Sequence, residues 1–437
     1  MDRSLDDWLA HATVLHPVGI DLGLARVSQV AERLGFEAPR RAPAPRSVIV
    51  AGTNGKGSTC VALEQLLLGS GLKVGTTLSP HVHRFHERVR IDGVEVNDQA
   101  LCRAFAEVEA ARGELTLSYF EFSALVALII FRDAAVDVAV LEVGLGGRLD
   151  AFNLVSADVA VITSIGLDHQ QYLGHDLEGI GREKAGVMRA GQDVVLGAEV
   201  TASVVHRAAE LGCRTWRYGA DFAAREGTGG WDYRGPALQV DGIPWSSVPP
   251  HNGALALTAA ARLADLDVGS ARASLGRCRL PGRFEQRRAP GTSAPLILDV
   301  AHNPAGAAFL RRLLARRCPG RRFAAVVGML DDKDAAGVAA ALGDVVDVWI
   351  CVPTLGERGL AAEVLAARLR SGMAAAKLPV ADPRTAPDPA AALAIAASSC
   401  PPGGGILAFG SFNLVERMRA LLDAGASNGP STGDAEQ

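Results

Sequence analysis

A chain of 437 residues is longer than one hydrophobic core usually supports, so two domains are expected. Its 44 basic against 48 acidic residues leave a net charge of −4, too balanced and too mildly acidic for electrostatic capture of a nucleic acid or an anionic membrane, which leaves small-molecule chemistry. The seven cysteines stand singly, without a C-x-x-C pair, arguing against a disulfide framework or zinc ribbon and for a reduced, cytoplasmic compartment.

The start, Met1-Asp2-Arg3-Ser4-Leu5-Asp6-Asp7, is polar and acidic rather than basic and then apolar, so no export signal is read there. A helical stretch (Asp7 to Leu34) leads through the Pro-rich Ala38 to Pro45 into a first strand, Ser47 to Ala51. That strand runs into Gly52-Thr53-Asn54-Gly55-Lys56-Gly57-Ser58, and a helix is expected to start near Ser58. Glycines let backbone N–H groups converge on an anionic oxygen, Lys56 adds charge for outer phosphates, and the helix start adds its positive dipole end. The spacing is not G-x-x-x-x-G-K-[ST], since Gly57 separates Lys56 from Ser58. A phosphate cradle is the functional reading; a purely structural turn is the alternative.

Apolar, β-branched runs recur at Lys73 to Thr77, Asp137 to Val143, Asp158 to Ile165 and Asp193 to Leu196, with helical patterns such as Cys60 to Leu68 and Phe122 to Phe131 between several of them. This alternation predicts a mostly parallel sheet with helices on both faces. Phe122 to Phe131, the strongest apolar run, is roughly half a membrane span, so no membrane anchor is expected. Gly219 to Gly242 reads as a small antiparallel excursion, and Gly253 to Leu263 as a helix. A second set of buried strands, Pro295 to Val300, Arg322 to Val327, Val345 to Val352 and Gly405 to Phe409, marks a second α/β domain. The expected division is 1–286 and 287–424, with a polar, disordered tail over 425–437.

Open α/β sheets gather ligands at strand ends, where five clusters sit. Ser79, in Thr76-Thr77-Leu78-Ser79-Pro80-His81, can offer a hydroxyl to magnesium or simply cap a helix before proline. Glu142 ends an apolar strand, and a buried-strand carboxylate is costly unless it is paired or holds a metal. His169, closing Thr163 to His169, is a ligand candidate or a structural histidine; a nitrogen donor is unusual for Mg²⁺. Lys184, in Gly181-Arg182-Glu183-Lys184-Ala185-Gly186, reads by default as a solvated salt-bridge partner. Arg283 sits at the expected hinge, and Asp299 ends the first strand of the second domain. His81, His83 and His86 are not read as a zinc site, because Arg84, Glu87, Arg88 and Arg90 make the segment a polar loop suited to anionic or heteroaromatic substrates.

Together these residues resemble the bifunctional dihydrofolate synthase/folylpolyglutamate synthase family, a branch of the Mur-type ATP-dependent amide ligases. The match runs in family order through Leu15-His16-Pro17, Ile20 to Leu24, Gly52 to Ser58, Ser79-Pro80-His81, Tyr119-Phe120-Glu121, Glu142 to Asp150, Asp168-His169, Arg182 to Gly186, Leu280 to Phe284, Asp299 to Pro304, Gly328 to Asp334 and Gly410-Ser411-Phe412. The resemblance implies an α/β Mur-ligase architecture: an N-terminal P-loop ATP-binding domain with a mostly parallel sheet, and a C-terminal Rossmann-like domain. It implies a ligase joining L-glutamate to dihydropteroate or tetrahydrofolate through an acyl phosphate made with ATP.

By the same resemblance Gly55, Lys56, Gly57, Ser58, Asn252, Arg283 and Asp299 would bind ATP, and Ser79, Glu142 and His169 would ligate Mg²⁺, with two ions expected and a monovalent cation as a further candidate. Lys184 looks like the family's carbamylated lysine; His302 and Ser411 match positions implicated in placing glutamate. Asp21, Leu22, Gly23, Ser118, Tyr119, Phe120, Glu121, Leu149, Asp150 and Ala151 match the pterin-substrate positions. Catalysis would require the domains to close and expel water; a cytoplasmic monomer is expected, with no nucleic-acid or membrane partner. Two positions depart from the pattern: Phe152 replaces the usual threonine of Leu-Asp-Ala-Thr-Asn, and Gln170-Gln171 replaces the acidic residue after Asp-His. The alternatives are a divergent Mur-type ligase acting on a non-folate carboxylate, and a nucleotide-binding regulatory protein without chemistry.

Overall fold

The computed structural model describes residues 3–18, 20–289, 292–356, 358–379 and 382–427. The chain forms two compact units, Met1–Leu280 and Pro281–Gln437. In the first, an eight-stranded sheet runs in the order Val94–Glu95, Val89–Ile91, Val74–Thr77, Val138–Glu142, Arg46–Ala51, Val159–Ile162, Asp193–Leu196, Arg214–Arg217. The six strands from Val74–Thr77 onward are parallel, and the first two form an antiparallel edge hairpin.

The period of two along the central strand divides the core. Val48 and Val50 face one side, with Cys60, Leu63 and Leu67 of the helix Lys56–Gly69. Ile49 and Ala51 face the other, with Phe122, Leu125 and Ile129 of the helix Tyr119–Asp133. That helix is apolar nearly all round because it is buried nearly all round. The first face is also covered by the helix Pro250–Ala260 and by Trp231, Tyr233, Val240 and Ile243 of a three-stranded antiparallel sheet, Ala223–Glu226, Trp231–Arg234, Gln239–Ile243. This sheet is the expected excursion at 219–242.

Three differences from the sequence expectations have local causes. The single N-terminal helix is two, Leu5–Val14 and Ala25–Arg33, because Pro17 disfavours helical backbone at His16 and lacks an N–H of its own. The polar loop after Ser79 ends in the edge hairpin, whose short strands carry too few apolar residues to announce themselves. The expected division at 286/287 falls within the strand Glu285–Arg288, an edge strand that pairs antiparallel with Pro295–Asp299.

The second unit is a six-stranded sheet, Glu285–Arg288, Pro295–Asp299, Gly405–Phe409, Phe323–Val327, Val346–Cys351, Arg384–Thr385, parallel except for its first strand. Ile297, Ala325, Val327, Leu407 and Phe409 pack with Leu310, Leu314, Val338, Leu365 and Leu369 of helices on one face. The helices Pro389–Ser399 and Phe412–Ser427 bury Ala392, Ala396, Leu414 and Met418, giving the α/β layering expected. The last helix extends to Ser427; the rest of the expected disordered tail, 428–437, lies outside the described residues. Among the described residues no helix is long and apolar enough to cross a membrane.

Candidate active site

The cradle begins where the central strand ends. Gly52 has φ +150°, and a Cβ there would lie 1.9 Å from Thr163 Oγ1; Gly55 has φ +86°, and a Cβ there would lie 2.2 Å from Asn252 Nδ2. Glycine is therefore required twice, by handedness and by close approach. The helix starts at Lys56, two residues before Ser58, and no side chain caps it, the arrangement that suits an anion at a helix N-terminus. The next parallel strand end latches the loop: Thr163 Oγ1 donates to Asn54 O (2.7 Å), Thr53 N–H donates to Ser164 O (2.8 Å), and Gly166 N–H donates to Thr53 Oγ1 (3.0 Å). Asn252 Nδ2 donates to Gly55 O (3.1 Å) and Thr59 Oγ1 (3.0 Å), while its buried Oδ1 has no partner. Asn252 is thereby joined to the cradle.

Two further strand ends meet the cradle. Glu142, 4 % exposed, accepts from Ser79 N–H through Oε2 (2.8 Å), and its own N–H donates to Thr77 Oγ1 (2.9 Å). A Cβ at Gly57 would rest 3.5 Å from the Glu142 carboxylate, an ordinary contact that places the loop directly against that group. The Ser79 hydroxyl is buried without a hydrogen-bond partner. An orphaned hydroxyl beside a buried carboxylate is an all-oxygen donor set of the kind hard divalent cations favour, and it answers the capping alternative for Ser79. His169 has left-handed backbone (φ +50°), with its N–H donating to Asp168 Oδ1 (2.9 Å), at the start of the short helix Gln170–Leu173. His81 and His86 are engaged elsewhere: His81 Nδ1 accepts from Arg88 Nε (2.7 Å), and His86 pairs with Asp98 (2.5 Å).

Lys184 is not the solvated lysine its charged neighbours imply. It is 5 % exposed, and its Nζ donates to Gly52 O (3.0 Å), the carbonyl that also accepts from Lys56 Nζ (3.0 Å). Burial, followed by the Lys56 charge, brings the Lys184 ammonium down to about 7, partly opposed by Asp168 and Asp150. Glu183 takes the salt bridge instead, with Arg148 (2.9 Å). Arg148 N–H donates to Glu183 O (2.8 Å), and a Cβ at Gly147 would lie 2.8 Å from the same oxygen, so the loop after Glu142 sits directly on the helix Leu177–Ala185. Asp150, 2 % exposed, closes that loop by accepting from the N–H groups of Gly144 (2.9 Å), Leu145 (3.1 Å) and Phe152 (3.0 Å). Burial nonetheless raises its carboxyl to about 6.

The three expected pterin segments are joined to one another, two of them through Arg26, which the sequence reading did not single out. Arg26 donates to Asp21 (2.6 Å) and to both oxygens of Glu121 (3.1 and 3.2 Å), tying Asp21-Leu22-Gly23 to Ser118–Glu121. His16 pairs with Asp21 (3.0 Å), and Ser118 and Glu121 form a capping box at the start of their helix. The Phe120 ring lies 2.5 Å from where a Gly144 Cβ would stand and meets Phe152 edge-on at 5.7 Å, linking this helix to Leu149, Asp150 and Ala151. Phe152, where the family pattern has threonine, is buried in the core. Arg26 was findable only as a cation five residues after an aspartate, a pattern too common to single out.

The second unit gathers its own expected residues. Asp299 accepts from Phe284 N–H and Ala301 N–H (2.8 Å each); burial raises its carboxyl although Arg283 opposes this. The Arg283 guanidinium lies 5.2 Å from the Phe412 ring centre, and the His302 ring lies 6.4 Å from it. His302 Nδ1 is 2.8 Å from Val300 O, and Ser411 Oγ accepts from Leu414 N–H (3.1 Å).

Residues 50–234 match the family description "Mur ligase middle domain", and residues 282–412 match "Mur ligase, glutamate ligase domain". The chain is 42 % identical over 428 residues to a dihydrofolate synthase/folylpolyglutamate synthase of Escherichia coli, covering 97 % of each chain. It is 34 % identical over 389 residues to one of Mycobacterium tuberculosis, covering 79 % of this chain and 77 % of that one. Among solved structures, E. coli FolC in complex with DHPP and ADP superposes with a TM-score of 0.88 at 39 % identity, covering 97 % of this chain and 99 % of that chain. The bifunctional folylpolyglutamate synthase/dihydrofolate synthase of Yersinia pestis with AMPPNP and Mn gives 0.87 at 42 % identity, covering 96 % and 98 %.

Proposed function

Because this chain belongs to the dihydrofolate synthase/folylpolyglutamate synthase family of Mur ligases, we propose that it is an ATP-dependent ligase that adds L-glutamate to dihydropteroate, to tetrahydrofolate, or to both. The observation that carries the reading is the convergence, at the C-terminal ends of the central strands, of an uncapped glycine cradle, the Ser79–Glu142 oxygen pair and buried Lys184. The backbone N–H groups of Gly55 to Ser58 and the Lys56 ammonium bind the ATP phosphates, and Asn252 holds the cradle in shape. Ser79 Oγ, Glu142 and His169 would hold Mg²⁺, which when bound offsets charge on the transferred phosphoryl group. Binding of AMPPNP and Mn by the Yersinia pestis relative supports a nucleotide and a divalent ion here.

In the reaction the substrate carboxylate attacks the γ-phosphorus, the bond to ADP breaks, and an acyl phosphate forms. The amine of glutamate then adds to the acyl carbon, loses a proton, and expels phosphate as the amide forms. The Arg26-linked segments 21–23 and 118–121 and the loop 149–151 orient the acid; Arg283, Asp299, His302 and Ser411 serve nucleotide and glutamate. Lys184, with much of its population neutral near pH 7, can attack CO₂ through its Nζ lone pair and lose a proton to give a carbamate, replacing a buried cation by an anionic oxygen donor. The same reading makes the protein a monomer of the cytoplasm.

Phosphate release measured over a panel of carboxylic acids, with glutamate and other amino acids as acceptors, tests the assignment. Turnover should require a pteroate-type acid and glutamate together. Release with a different acid and none with dihydropteroate or tetrahydrofolate would favour the non-folate ligase.

A further inference from the structure

Arg88 ends the turn Phe85–Arg88 that leads away from Ser79, and Leu78 N–H donates to its carbonyl (3.1 Å). Its guanidinium carbon lies 5.5 Å from the Tyr119 ring centre and 5.9 Å from that of Phe85, and its Nε donates to His81 Nδ1 (2.7 Å). Neighbouring arginines of this segment have carboxylate partners: Arg84 with Glu95 (2.7 Å) and Arg90 with Glu64 (3.0 Å). Among the described residues Arg88 has no carboxylate within salt-bridge distance and no acceptor besides His81. Burial is the largest influence on its guanidinium and pulls it below the ordinary arginine range, with Tyr119 and Glu142 only partly offsetting this.

A cation withdrawn from water without a counter-charge is costly, and the cost is relieved when an anion arrives. The two rings and His81 fix the plane of the guanidinium and occupy Nε, leaving its terminal N–H groups as a planar fork suited to bidentate binding of a carboxylate. Tyr119 belongs to the segment assigned to the acid, while Glu142 belongs to the metal site, so the fork stands where an acid would meet the transferred phosphoryl group. Lys56 and the cradle already serve the nucleotide phosphates. We propose that Arg88, held by His81, binds the carboxylate of the substrate acid and thereby selects acids over their neutral analogues. The assignment rests on the glutamate-ligase reading and adds a residue to it.

The test is calorimetric binding of dihydropteroate and of its carboxamide to the full chain with Mg²⁺ and a non-hydrolysable ATP analogue. The wild type should prefer the acid by at least about tenfold, Arg88→Gln should lose that preference, and nucleotide affinity should stay within about threefold. Arg88→Lys should keep part of the preference, since it keeps charge without the fork, and His81→Gln should reduce it. If the wild type binds the acid and Arg88→Gln and Arg88→Lys both retain its full preference, the Arg88 assignment is wrong and the ligase reading stands. Equal loss of acid and nucleotide affinity in both Arg88 variants would make the residue merely structural and equally overturn it. A wild type that binds neither acid nor amide overturns both readings.

Discussion

Glu142→Ala is expected to lower kcat by at least about a thousandfold while leaving the protein folded. The carboxylate ends a central strand, is 4 % exposed, and accepts from Ser79 N–H at 2.8 Å. Its removal leaves that N–H unpaired, costing about 1–3 kcal/mol, but also removes a buried charge whose desolvation opposed folding. Stability and activity should therefore separate: a modest shift in the urea midpoint against near-complete loss of phosphate release. A Glu142→Ala protein that turns over at the wild-type rate would eliminate the metal assignment.

Lys184→Ala is expected to be comparably inactive and to recover part of its activity when short carboxylates such as acetate or formate are added. On the carbamate reading the missing group would be an anionic oxygen near Gly52 O, which a diffusible carboxylate would replace. Full activity without additive would discard the carbamate. Wild-type activity should also fall as pH drops through about 7, where Lys184 becomes protonated and cannot attack CO₂, and excess bicarbonate should lessen the fall. The linkage to stability has the opposite sense to a salt bridge. The folded-state pKa is depressed from 10.5 to about 7, so between these values the unfolded chain binds more protons and stability rises with pH. The penalty is fully present below about pH 7, so unmodified Lys184→Met should be more stable than unmodified wild type there, read as a higher urea midpoint.

Much of this was legible in the sequence because it depends on period and punctuation. Val48 to Ala51 and Val138 to Leu141 are continuous apolar runs because parallel strands are buried on both faces. Gly52 and Gly55 mark the cradle because each combines a left-handed backbone with a neighbour too close for a side chain. Glu142 stood out as a carboxylate in an apolar strand. What stayed hidden depends on partners distant in sequence. Lys184 lies among charged neighbours, and the segments that meet it, at Gly52 and at Gly147–Arg148, are distant in sequence. Arg26 joins positions 21 and 121, and Arg88 gains its environment from Tyr119, so neither has a local signature. Phe152, which departs from the family pattern, is buried in the core and meets Phe120 edge-on, a contact that the local sequence does not announce.

The central claim is that the substrate carboxylate becomes an acyl phosphate before glutamate attacks. Dihydropteroate carrying ¹⁸O in its carboxyl group, turned over with ATP, Mg²⁺ and glutamate, tests it through the mass of the released phosphate. An acyl phosphate passes one carboxyl oxygen to phosphate, so label should appear there in proportion to amide formed. Amide formation with unlabelled phosphate would contradict the account.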